Sequence, residues 1–126
     1  MMRQPVHART GLLVGLAGAS AVLLGAFGAH ALRGVLDVQA RELWQTAVNY
    51  DVWHALALAL AVGLGRGRSG RFAIAAFAIG IVLFSGSLYA LALGAPRWVG
   101  IITPFGGLAF IAGWIALGLS ISRGNG

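Results

Sequence analysis

Eight side chains stand out for chemistry in a chain that is otherwise strongly apolar: His30, Asn49, Asp51, His54, Ser85, Ser87, Tyr89 and Thr103. Asp51 and His54 are three residues apart. On a helix they share a seam with Ala47, Leu58 and Ala61, at alternating four- and three-residue steps. A carboxyl group and an imidazole one turn apart can relay a proton, because histidine titrates near neutrality. His30, His54 and Asp51 together offer two nitrogens and an oxygen to a divalent metal, and a quinone can hydrogen-bond to the same groups. The plainest use of all eight is to bond helices to one another, at about 0.6 kcal/mol per bond in lipid. No nucleophile stands with a base, and the absence of cysteine removes thiol catalysis and thiolate-bound metal. The glycine-rich stretch from Gly11 to Gly18 lacks the Lys-Ser/Thr that completes a phosphate loop. The residues therefore predict a non-enzyme, with no catalytic group, metal or resident cofactor.

The elements that must position these residues are membrane helices. Of 126 residues, 59% are hydrophobic and only 10% charged, with mean hydropathy +0.86. A soluble domain carries about 25% charge. A chain this short of polar groups must face lipid, and helices of about 20 residues satisfy the backbone there. Four apolar runs fit, at about 11–32, 46–65, 72–94 and 103–121, and they leave room for one all-α transmembrane domain and nothing more. Residues 35–45 are mixed. Leu36, Ala40 and Leu43 share one face while Asp37, Arg41 and Glu42 lie elsewhere, with Asp37 and Arg41 placed as an i,i+4 pair. This pattern predicts a short interfacial helix leading into the second span. It places Asn49, Asp51 and His54 in the first turns of that span, and all eight polar residues in one half of the bundle. Asp51 there is either buried or close enough to water to pair with Arg41 or Arg97.

Net charge is +6, from nine Arg against Asp37, Glu42 and Asp51. Nucleic-acid binders gather basic residues on one folded surface, whereas here the arginines sit at the ends of apolar runs. Arg3, Arg9, Arg66, Arg68, Arg71 and Arg123 fall on one side of a four-span chain, and Arg33, Arg41 and Arg97 on the other. The positive-inside rule puts both termini in the cytoplasm of an inner-membrane protein. Trp44, Tyr50, Tyr89 and Trp98 gather toward the outer interface, where an aromatic belt is expected. A competing expectation is a cleaved signal peptide ending at Ala29-His30-Ala31, for which the apolar run is long.

In lipid, small residues let helices approach closely. Span one carries Ala17, Ala21, Gly25 and Ala29 at four-residue spacing, with Gly11 and Gly15 besides. Span three carries Gly86, Ala90 and Gly94, and span four Ala112, Ala116 and Ser120. These stripes suit packing within one chain, and equally a homo-oligomer or docking into a larger membrane complex. Beyond the lipid bilayer no partner is specified, and nucleic acid is not expected. Gly25, Ala29, Ala31 and Leu32 also echo Gly86, Ala90, Ala92 and Leu93 at one offset.

Several blocks carry a resemblance. Gly25-Ala26-Phe27-Gly28-Ala29-His30-Ala31-Leu32, Trp44-Gln45-Thr46-Ala47-Val48-Asn49-Tyr50 with His54-Ala55-Leu56-Ala57, Leu83-Phe84-Ser85-Gly86-Ser87-Leu88-Tyr89 and Ile102-Thr103-Pro104-Phe105-Gly106-Gly107 occur in order. In these blocks the chain resembles the bacterial membrane proteins grouped as domain of unknown function 423, to which the eukaryotic transmembrane protein 256 family is similar. The likeness runs from about residue 11 to 120. It implies a four-helix inner-membrane protein with its first segment retained. It implies a Gln or similar polar residue at the position of Asp51, which shifts interest to His30, His54 and the Ser-Gly-Ser block. It implies no particular activity.

Overall fold

The computed structural model describes residues 7–124, so Arg3 of the cytoplasmic tally and the Asn125-Gly126 tail lie outside the described residues. Four helices are long and apolar enough to cross a membrane: α1 (Ala8–His30), α2 (Val38–Leu64), α3 (Gly67–Ala92) and α4 (Ile102–Gly124), the last preceded by a 3₁₀ turn over Arg97–Ile101. No strand occurs among the described residues. The all-α four-helix membrane architecture read from the sequence is the one observed.

The segment expected as a separate interfacial helix is instead the opening of α2. Asp37 caps it, its Oδ1 accepting from the Ala40 backbone N–H at 2.8 Å. That carboxylate serves the backbone in place of the expected Arg41 pair. No Gly or Pro interrupts the sequence between Val38 and Val62, so nothing stops one helix from running through. The polar residues shift in their place along the helix as a result. Asp51 becomes the central residue of α2 and His54 lies beyond its midpoint, not in the first turns.

α3 is interrupted by a π-helical turn at Ile81–Ser85. Its wider i→i+5 winding rotates the C-terminal part of α3 relative to the N-terminal part. For this reason the expected α3 stripe is not the packing face. Gly86 has nothing within 4 Å of where a Cβ would stand, Ala90 is half-buried, and Gly94 is exposed in a turn at φ +103°. The close approaches lie on the other side of the π turn. Gly80 fits under the Phe110 ring, Gly106 lies directly on the backbone of Phe84, and Gly113 faces the Phe77 ring. On α1, Ala21 is buried, Ala17 is half-buried and Gly25 meets Val48. Ala29 is exposed, and its neighbour Gly28 makes the tight contact, against the Trp44 indole. On α4, Ala116 and Ser120 are buried as expected of a packing stripe.

α2, α3 and α4 pack on one another around Leu58, Ala61, Ala73, Phe77, Phe110 and Leu117, with α3 and α4 in the most extensive contact. α1 leans principally on α2. A smaller cluster of Leu32, Trp44, Val48 and Ala92 closes the end of the bundle where α1 stops.

Candidate functional site

The polar side chains inside the bundle converge on α2. Asp51 is 1% exposed. Its Oδ2 accepts from the Tyr89 hydroxyl at 3.0 Å, while Oδ1 is buried without a hydrogen-bond partner. Arg41 and Arg97, the cations considered for it, line two separate cavities that Asp51 does not reach. Tyr89 enters from α3, its ring 4.6 Å from that of Trp44, so the phenol body packs while the hydroxyl points inward to Asp51.

His54 is fixed at both ring nitrogens. Nδ1 lies 2.8 Å from the Tyr50 carbonyl one turn back, and Nε2 accepts from the Trp114 indole at 3.1 Å. A carbonyl only accepts and an indole N–H only donates, so the two bonds define a neutral ring with its proton on Nδ1. The imidazole stacks on Phe110 at a 3.5 Å centroid separation and 10°, with Phe77 at 6.0 Å and Tyr50 at 5.9 Å. This aromatic cage encloses His54 away from His30.

The serines bind helices together. Ser85, in the π turn and fully buried, donates to the Ala47 carbonyl of α2 at 2.8 Å. Ser87 and Thr103 share a 2.6 Å bond between α3 and the start of α4, and Ser87 also donates to the Phe84 carbonyl. The π turn and the Gly106 contact explain one another. Winding the backbone out at Phe84 brings it against α4, where only a residue without a side chain fits. Asn49 is half-buried and accepts from Gln45 at 2.9 Å.

The structure therefore joins Asp51 with Tyr89, Ser85 with α2, and Ser87 with Thr103. It does not join His30 to any of them. His30 is exposed at the end of α1, beside Leu23 and Phe27. The His30–His54–Asp51 metal set does not assemble, and no cluster of three metal-ligating side chains occurs among the described residues. Of the four expected belt aromatics, Trp98 is exposed, whereas Trp44 is buried and Tyr50 packs against Phe84 inside the bundle. Trp114 is the partner that sequence reasoning missed. It looks like any aromatic in an apolar span, and only the tertiary contact with His54 gives it a role.

The polar side chains from His30 to Thr103 fall in the part of the chain that matches a known family, whereas Phe110 and Trp114 lie beyond it. A family described as Protein of unknown function (DUF423) matches residues 24–107. The chain belongs to the DUF423 family. Relatives of this DUF423 protein include a UPF0382 membrane protein of Haemophilus influenzae, 45% identical over 83% of this chain and 86% of its own. Another is the UPF0382 membrane protein YwdK of Bacillus subtilis, 45% identical over 77% and 82%. A third is the UPF0382 inner membrane protein YgdD of Escherichia coli, 42% identical over 82% and 81%. No solved structure matches. The DUF423 match takes in His30, the whole of α2 and α3 and the Gly106 contact, and it begins in the last third of α1.

Proposed function

We propose that this membrane protein is not an enzyme and acts by associating with other membrane proteins or with further copies of itself, as an accessory or assembly subunit. The observation that carries this reading is the state of α1. It rests on one main neighbour, and its outward face presents Gly11, Gly15 and Ala19 at four-residue spacing, with nothing near either glycine. Small residues favour helix–helix contact and gain nothing against acyl chains. The core polar groups support the same reading, because His54, Ser85, Ser87 and Thr103 are bonded within the chain. The chain has no cysteine of its own, so a single Gly15→Cys replacement is a clean probe. Cross-linking in native membranes is expected to give one adduct of defined mass, absent for Phe105→Cys on α4. A monomer alone at both positions removes the reading.

The arginine distribution supports an inner-membrane location with both termini in the cytoplasm. The inner-membrane name of YgdD agrees with that location, and the family match running unbroken through Ala29–Ala31 supports retention of the first segment. A membrane-impermeant thiol reagent added to intact spheroplasts should label Ala95→Cys and spare Ser69→Cys; the reverse pattern inverts the topology.

One observation favours a second reading, proton passage: the unpartnered Oδ1 of Asp51 at the centre of α2. Ionisable groups at membrane depth are costly and mark proton pathways. Proteoliposomes carrying a pH-sensitive dye should then show a flux that Asp51→Asn abolishes while the helical spectrum is kept. Wild-type liposomes as tight as empty ones end this alternative.

A further inference from the structure

Two of the sequence blocks meet across a cavity that the bundle core does not use. The end of α1 and the start of α2 enclose a space of about 200 Å³. Its floor is Gly25 and Gly28, and one wall is Trp44, whose indole lies against Gly28 and donates to the Leu24 carbonyl at 3.0 Å. The lock between Trp44 and Gly28 sets the helix separation here and so sets the shape of the cavity.

The rim is cationic. Arg33, in the turn after α1, and Arg41, in the first turns of α2, both line the space, with Gln45 beside them. No carboxylate lines it. Asp37, the nearest acid in sequence to Arg33, is turned to the Ala40 backbone as the α2 cap, and Glu42, next to Arg41 in sequence, is not among the lining residues. Gln45 uses one amide hydrogen on Asn49 and keeps the other. Leu32 is buried and so fixes the turn that presents Arg33. Two arginines lining one cavity with no carboxylate make its potential positive and favour an anion there. Their planar forks match the paired oxygens of an oxyanion.

We propose that this α1–α2 cavity is an oxyanion site that takes a phosphate group, held between Arg33 and Arg41. At roughly 30 Å³ per water molecule, the cavity has room for a phosphate with several waters or for a glycerophosphate headgroup. The charged rim stands at the end of the apolar part of α1, the depth of lipid headgroups, so the phosphate comes either from a phospholipid or from solution. The site is separate from the proposed association face, which lies toward the other end of α1: Gly11 and Gly15 precede Gly25 by ten residues or more.

The test uses the full chain in a neutral detergent, followed by thermal unfolding and native mass spectrometry. The probes are phosphatidylglycerol, phosphatidylcholine and inorganic phosphate at matched ionic strength. Phosphatidylglycerol or inorganic phosphate should raise the melting temperature where phosphatidylcholine does not, with one molecule bound per chain. Stabilisation by phosphatidylglycerol alone identifies a lipid headgroup, and equal stabilisation by inorganic phosphate identifies a soluble ligand. Arg33→Gln with Arg41→Gln should weaken binding about tenfold or more, as expected for loss of charge-assisted hydrogen bonds. Arg97→Gln, on a different outer cavity, should bind like wild type. Both cavity arginines are exposed, and each single variant should give an intermediate affinity. The proposal is overturned if neither anion stabilises the wild type, if the double variant binds as well, or if Arg97→Gln loses as much.

Discussion

The α3–α4 and α1–α2 contacts solve the same problem with different thoroughness. In lipid there is little gain from burying apolar surface, so helices hold through close fit and hydrogen bonds. The α3–α4 seam has three glycine contacts along its length, at Gly80, Gly106 and Gly113, two of them under phenylalanine rings. Ser87–Thr103 is a side-chain bond across it. The α1–α2 seam has its tight fit at one end only, at Gly25 and Gly28, with one interhelical bond from Trp44. The consequence shows in burial: 6% of the apolar stretch of α1 is buried, against 33% of that of α3 and 22% of that of α4. A helix whose closest fit is at one end and whose outer face is open is suited to meeting something else, even though Leu13, Val14 and Ala17 also touch the core, while the continuous seam is suited to holding the fold.

If that contrast is right, damage to the α3–α4 seam should be the most severe. Gly106→Val places a side chain on the Phe84 backbone, which cannot move aside as a side chain tip can. The expected cost is about 3 kcal/mol, the upper end for overpacking, read as loss of folded protein in detergent unfolding. Near-normal stability would mean the π turn yields, and the seam is softer than described.

Gly28→Ala tests the other seam. The added methyl displaces the Trp44 indole, at a cost of about 1–2 kcal/mol. Hydrogen exchange should rise in α1 and leave α3 and α4 as they were. A rise spread over all four helices would show that α1 is integral to the core. The same replacement should also disturb the Arg33–Arg41 cavity.

Ser120→Ala should have the smallest effect. Ser120 Oγ bonds both the N–H and the carbonyl of Arg66, clamping the α2–α3 turn to α4. Its loss should cost about 1 kcal/mol, measurable as a lower melting temperature. No change would mean that the Gly65–Gly70 backbone contact holds the turn alone.

Legibility in the sequence differs from residue to residue. Four apolar runs and their arginine flanks specify four helices without reference to anything distant, because backbone satisfaction in lipid is local. The Ala17, Ala21, Gly25 stripe was legible too, because α1 is a regular helix and four-residue spacing holds along it. The Gly86, Ala90, Gly94 stripe misled because the π turn breaks the register, and nothing in Ile81-Val82-Leu83-Phe84-Ser85 announces it. The start of α2 is not legible because the charge of Asp37, Arg41 and Glu42 points to an interface, whereas the uninterrupted helix-forming sequence carries one helix through.

The sequence alone determined the class of protein, its span count and which few residues carry polar chemistry, since these depend only on composition and periodicity. Which polar groups meet was decided by tertiary structure. His54 turned to Trp114 and not to His30, Asp51 kept one oxygen without a partner, and Arg33 and Arg41 came to line one cavity with Gly28. Each of these depends on helix separation and rotation. In a bilayer, close contacts between distant small residues set those two quantities, and the spacing within any one segment does not.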